Sequence, residues 1–176
     1  MTRRIVLTSL GADRPGLVDE VTRFILERGG NLEDSRMVNL HGQFAMMMLV
    51  AGDQGVVDRL NEGLDELRRG ADIRAELTLV PAELPAGAAA ALPYRLSTTA
   101  MDHPGLVQSV AHTLRELGVN IESAESALQP APLTGAPLFA MELVLSVPVK
   151  TRVSELRERL AEVCDELNID WRLTAL

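Results

Sequence analysis

Residues 13–33 and 102–122 are two copies of one pattern, and that repeat limits the fold more than any other feature of the chain. At an offset of 89, Asp13-Arg-Pro-Gly-Leu-Val pairs with Asp102-His-Pro-Gly-Leu-Val and stays in register through Gly29/Gly118, Asn31/Asn120 and Glu33/Glu122, with ten of twenty-one positions identical. Phe44-Ala-Met then matches Phe139-Ala-Met at an offset of 95, so the second copy has gained six residues between these blocks. The extra length falls in Gln129 to Pro137, where three prolines and a glycine specify a loop. A chain of 176 residues with such a repeat holds two domains of about 80 to 90 residues rather than one of medium size. Between the copies, Pro81 to Pro93 has few large side chains and prolines at its borders. The expected division is a first domain over 1–82, a linker over 83–92 and a second domain over 93–176.

Periodicity gives each copy the same order. Ile5 to Leu10 is a short apolar, β-branched run, as a strand buried on one face requires. Pro15 is suited to the first turn of a helix whose apolar positions Leu17, Val18, Val21, Phe24 and Ile25 recur at three and four, with Gly29 at its C-terminal cap. Asn31 to Leu40 and Gln43 to Ala51 flank His41-Gly42, a two-residue hairpin turn. Val57, Leu60, Leu64 and Leu67 predict a second helix that Gly70 stops, and Ile73 to Val80 returns to a period of two. Copy two repeats this with Arg95 to Ala100, Gly105 to Leu117, Val119 to Leu128, Leu138 to Val147, a helix carrying Val153, Leu156, Leu160, Val163 and Leu167, and Ile169 to Thr174. Each copy is a split βαβ unit, βαββαβ, so the class is α+β with both helices on one face of a four-stranded antiparallel sheet. Such sheets leave edge strands unpaired, which points to a homodimer.

Charge excludes one class of partner. Seventeen Lys plus Arg against twenty-five Asp plus Glu give a net charge of -8 with no basic stretch, so direct nucleic-acid binding is not expected. Cys164 is the one cysteine and lies in no CxxC spacing, and no apolar run approaches the roughly 20 residues of a membrane span. These features fit a soluble, cytoplasmic protein without a disulfide. Among the methionines, Met46 and Met48 point to one side of a strand and Met47 to the other, which suits packing rather than a shared binding face.

The most closely repeated elements are a turn, Asp-x-Pro-Gly-Leu-Val, and a helix-to-strand junction, Gly-x-Asn-[Leu/Ile]-Glu. The turn opens a helix N-terminus, whose free N–H groups and dipole favour a carboxylate such as that of a small amino acid. Asp13 or Asp102 then supplies an acceptor for the ammonium, and Asn31 or Asn120 closes the site from an adjoining domain. The plainer reading is structural: Asp before Pro-Gly is a helix cap, and Asn after a C-cap glycine tolerates turn geometry. Spacing alone favours the cap.

The two motifs, each present twice in the same order, resemble ACT domains. That resemblance covers both halves and implies ferredoxin-like units that pair edge to edge and bind amino acids or other small effectors at domain interfaces. Carried over by motif position, the ligand-binding residues would be Asp13, Gly16, Leu17, Asn31 and Leu32 in copy one, and Asp102, Gly105, Leu106, Asn120 and Ile121 in copy two. A chain of two such domains resembles the glycine cleavage system transcriptional repressor family. This implies control of transcription through a protein partner, with glycine or a similar amino acid as signal. A regulatory subunit of an amino-acid biosynthetic enzyme is the alternative.

Catalysis is less well supported. Cys164 lies on the apolar stripe of the last helix, no two histidines share a ligand spacing, and a single lysine, Lys150, is available for phosphate or Schiff-base chemistry. Acylphosphatases use the same strand order, but need an arginine in the turn after strand one. Arg14 occupies that place, whereas copy two has His103. No cofactor motif, metal site or catalytic residue is expected.

Overall fold

A computed structural model describes residues 2–81, 90–131 and 134–176. The chain forms two units, Met1–Ala86 and Gly87–Leu176. The first runs β1 (Arg3–Ala12), α1 (Leu17–Glu27), β2 (Asn31–Leu40), β3 (Gln43–Gly52), α2 (Gln54–Ala71), β4 (Ile73–Val80). The second runs β5 (Ala91–Met101), α3 (Leu106–Glu116), β6 (Asn120–Pro130), β7 (Pro137–Pro148), α4 (Val153–Glu166), β8 (Asp170–Ala175). Both sheets are antiparallel, ordered β2-β3-β1-β4 and β6-β7-β5-β8. This is the expected α+β, ferredoxin-like architecture. Of the segment 83–92 expected as linker, residues 83–89 lie outside those described, and Ala91 and Leu92 already pair with Pro148 and Val147 in β5. Pro93 is tolerated within that strand because β8 ends opposite Tyr94, and its carbonyl accepts from the Leu176 N–H at 3.0 Å. Residues 132 and 133 of the proline-bordered insertion also lie outside the described residues, while its flanks turn through Gly135 N–H to Ala131 O at 2.9 Å.

The first core forms where period two on the strands meets period 3.6 on the helices. Ile5 and Leu7 of β1 and Met46, Met48 and Val50 of β3 face Leu17, Val21, Phe24 and Ile25 of α1 and Leu60, Leu64 and Leu67 of α2. Met47 points to the other side and is 54% exposed, as the alternation requires. Three local expectations give way to packing. Val18, at the edge of the buried stripe formed by 17, 21, 24 and 25, is 37% exposed. Gly70 does not end α2: the helix continues to Ala71, still buried, and Asp72 at φ 52 terminates it. Pro15 lies in the turn before α1 rather than in its first turn, since the helix begins at Leu17 with Gly16 as N-cap. In the second unit, Leu156, Leu160 and Cys164 form the buried stripe of α4, and Val163 and Leu167 are only partly covered.

His41 and Gly42 both take positive φ, 50 and 79, which fits a two-residue turn between right-twisted strands. β2 and β6 form one edge of each sheet, and nearly every residue along them is exposed.

Candidate functional site

The turn between β1 and α1 is built from contacts distant in sequence. The Asp13 N–H donates to Gly42 O at 2.8 Å, and its carboxylate accepts from Asn39 Nδ2 at 2.6 Å. Asp13 therefore fastens the turn to the tip of the β2–β3 hairpin and is not the helix cap that spacing favours. The chain then reverses at Gly16, φ 90 and ψ -11, and α1 starts without a side-chain cap. In the second unit Gly105 takes the same conformation, φ 101 and ψ -12, and α3 also starts uncapped. Left-handed geometry at these glycines, which L side chains avoid, carries the preceding aspartate away from the first helical N–H groups.

The two turns differ electrostatically. Asp19 and Glu20 sit in the first turn of α1, and Arg14 grips both Glu20 oxygens at 2.7 Å while donating to Ala71 O at 3.1 Å. That pairing holds the Glu20 carboxyl below its ordinary range. It also engages the arginine that a phosphate-binding loop would need free. In α3 the first turn has no acidic residue, Ser109 stands where Glu20 does, and His103 Nδ1 lies 3.1 Å from Pro104 O. Leu17 and Leu106 are core residues, so only their backbone is available to a ligand.

Asn31 and Asn120 lie at the other end of each sheet. Asn31 is opposite Ala51, which is opposite Arg4 on β1; Asn120 is opposite Ser146, which is opposite Pro93 on β5. Asp13 lies nine positions after Arg4, and Asp102 nine after Pro93, which at strand spacing is about 30 Å. A single unit therefore cannot bring its aspartate and its asparagine to one small molecule. They meet only if the asparagine comes from an adjoining domain.

Next to each asparagine the pairing register slips, between Leu32 and Asp34 and between Ile121 and Ser123, leaving Glu33 and Glu122 as the bulged residues. Sequence reasoning passed over these two glutamates, although their identity in both copies was a signal. Arg4 Nε binds Glu33 at 2.6 Å. Hydrogen bonds from Ser146 and Asn120, the latter at 2.7 Å, hold the Glu122 carboxyl below the ordinary glutamate range.

Burial pushes the Cys164 thiol up to about 11, where it is neither nucleophile nor ligand at neutral pH. Among the described residues no group of three His, Cys, Asp or Glu side chains is placed to hold a metal ion, and no helix is long and apolar enough to cross a membrane.

Residues 3–78 match the family model of the ACT domain. The second unit repeats the same architecture, so the chain resembles a tandem of ACT domains. It resembles the glycine cleavage system transcriptional repressor of Escherichia coli (strain K12), with 27% identity over 166 residues, 93% of this chain and 85% of that protein. A crystal structure of an unknown protein from Galdieria sulphuraria superimposes with a TM-score of 0.85 at 27% identity, covering 100% of this chain and 99% of the other. A second crystal structure, provisionally assigned as a glycine cleavage system transcriptional repressor, has a TM-score of 0.74 and covers 98% of its own chain; at 21% identity it shows the fold alone.

Proposed function

We propose that the chain is an amino-acid-responsive regulator that binds a small amino acid, glycine or one of similar size, and controls transcription through a protein partner. The observation that carries this reading is the helix opened by Gly105, whose first-turn N–H groups have no side-chain cap and no acidic side chain of the first turn to compete for them. Asp102, Gly105 and the backbone of Leu106 form one half of the site. Asn120 and Ile121 form the other half and are supplied by a second copy of the chain, because the two groups lie at opposite ends of one sheet. Asp13, Gly16, Leu17, Asn31 and Leu32 form the corresponding set in the first unit, where Asp19, Glu20 and the Asp13–Asn39 bond leave less room for an anion. A homodimer follows from this division, and the exposed edge strands β2 and β6 are available to join the copies. Similarity to a transcriptional repressor over 93% of the chain supports the regulatory role.

At a net charge of -8 the protein lacks the positive surface that supplies non-specific DNA affinity, so a partner must bring it. Affinity purification of the tagged chain from its native cells tests the reading. Recovery of a transcription factor, altered by added amino acid, is expected. Recovery of an amino-acid biosynthetic enzyme would favour the alternative of a regulatory subunit, and a mobility shift of duplex DNA by the purified protein alone would overturn indirect control.

A further inference from the structure

The repeat contains its own comparison at the asparagine end. The row Arg4, Ala51, Asn31 of the first sheet corresponds to Pro93, Ser146, Asn120 of the second. Two of the three positions differ, and both changes act on the neighbouring bulged glutamate. In the first unit Arg4 reaches Glu33 through Nε at 2.6 Å and Nη2 at 3.3 Å, so that carboxylate already has a cation. In the second unit proline removes the cation and serine adds a hydroxyl. Glu122 then accepts from a neutral donor, Asn120 Nδ2 at 2.7 Å, with Ser146 lining the same cavity, and among the described residues no ion pair neutralises it. It lines a cavity with Ala91, Leu117, Asn120, Ser146 and Lys150. The other carboxylate of that cavity, Glu116, is engaged by Arg159 at 3.0 Å. Lys150, also on the cavity wall, forms no ion pair among the described residues.

We infer that Glu122 is the acceptor for the α-ammonium of the amino-acid effector, and that the second unit alone supplies it, so that each chain holds one effector rather than two. Glu122 offers a negative charge already oriented by the hydrogen bond from Asn120, which lowers the ordering cost of binding a primary ammonium. Glu33 offers none until Arg4 is displaced. The inference rests on the reading that the chain binds an amino acid, and extends it by naming the group that selects amino acids over other carboxylates.

Calorimetric titration of the full-length protein with each of the twenty common amino acids tests it, followed by titration with the counterpart of the tightest binder that lacks the ammonium, glycolate in the case of glycine. The inference expects one equivalent per chain and weaker binding of the counterpart. Glu122→Gln should weaken the amino acid roughly ten- to hundred-fold, the range of a lost charge-assisted hydrogen bond, with little effect on the counterpart. Glu33→Gln should change neither. Pro93→Arg, which restores the arrangement of the first unit, should mimic Glu122→Gln, and circular dichroism confirms that each variant is folded. Two equivalents per chain, an amino acid bound equally well by Glu122→Gln, or a loss confined to Glu33→Gln would overturn the inference while leaving amino-acid binding intact. Binding of none of the twenty would overturn both.

Discussion

Gly105→Ala isolates the cost of the turn that opens the helix of the second unit. A Cβ built at Gly105 meets nothing within 4 Å, so the substitution introduces no clash. What it changes is backbone: φ is 101, and an L residue held in that region costs about 1–2 kcal/mol. For a cooperative unit of about 90 residues, this corresponds to a fall in melting temperature of roughly 5–15 °C. Gly70→Ala is the matched control. Its Cβ also meets nothing within 4 Å, but Gly70 lies inside α2 with ordinary helical geometry. There the substitution should stabilise by up to about 1 kcal/mol, because alanine loses less backbone freedom on folding. Urea denaturation followed by far-ultraviolet circular dichroism reads both variants. Opposite signs are expected from two chemically identical substitutions in open space. A Gly105→Ala protein as stable as wild type would refute the claim that a left-handed residue holds this turn.

Ser9 is buried, and among the described residues its hydroxyl has no hydrogen-bond partner, so Ser9→Ala should leave stability unchanged or raise it by about 1 kcal/mol, measured by the same denaturation. Cys164, buried and with its thiol pushed up to about 11, should react with Ellman's reagent at pH 8 only after unfolding; rapid reaction of the native protein would contradict its place in the core. Glu122 titrates below its ordinary range in the fold, so its hydrogen bonds stabilise the protein at neutral pH and this contribution is lost as the pH falls through the lowered value. Ser146→Ala should move the Glu122 carboxyl resonance, followed by NMR, to a higher titration midpoint, and an unmoved midpoint would remove Ser146 as a donor.

The element order, the positive-φ hairpin at His41-Gly42 and the alternation of Met46 to Met48 were legible because each depends on a local period or a turn residue. Gly70 and Val18 were misread for a related reason. Propensity and an apolar side chain suggest a stop and a buried position, but Ala71 stays buried within the helix and Val18, in the first turn of α1, stays exposed at the edge of the stripe. At the candidate site the motif was visible and its chemistry was not. Asp13 looks like a helix cap until Asn39, twenty-six residues away, is found on its carboxylate. Glu33 and Glu122 are identical in sequence and opposite in circumstance, because Arg4 reaches Glu33 across the sheet while its counterpart Pro93 offers Glu122 no cation, a difference set by a register that no local pattern reveals.

Amino-acid binding is the claim on which the rest depends, and titration of the purified chain against the twenty amino acids tests it most directly. Heat of binding and a raised melting temperature are expected for a small amino acid, weakened in Asp102→Ala and in Asn120→Ala although about 30 Å of sheet separates these residues within one unit. No heat from any of the twenty, and no thermal shift at millimolar concentration, would mean that the repeated motif is structural and that the regulatory account is wrong.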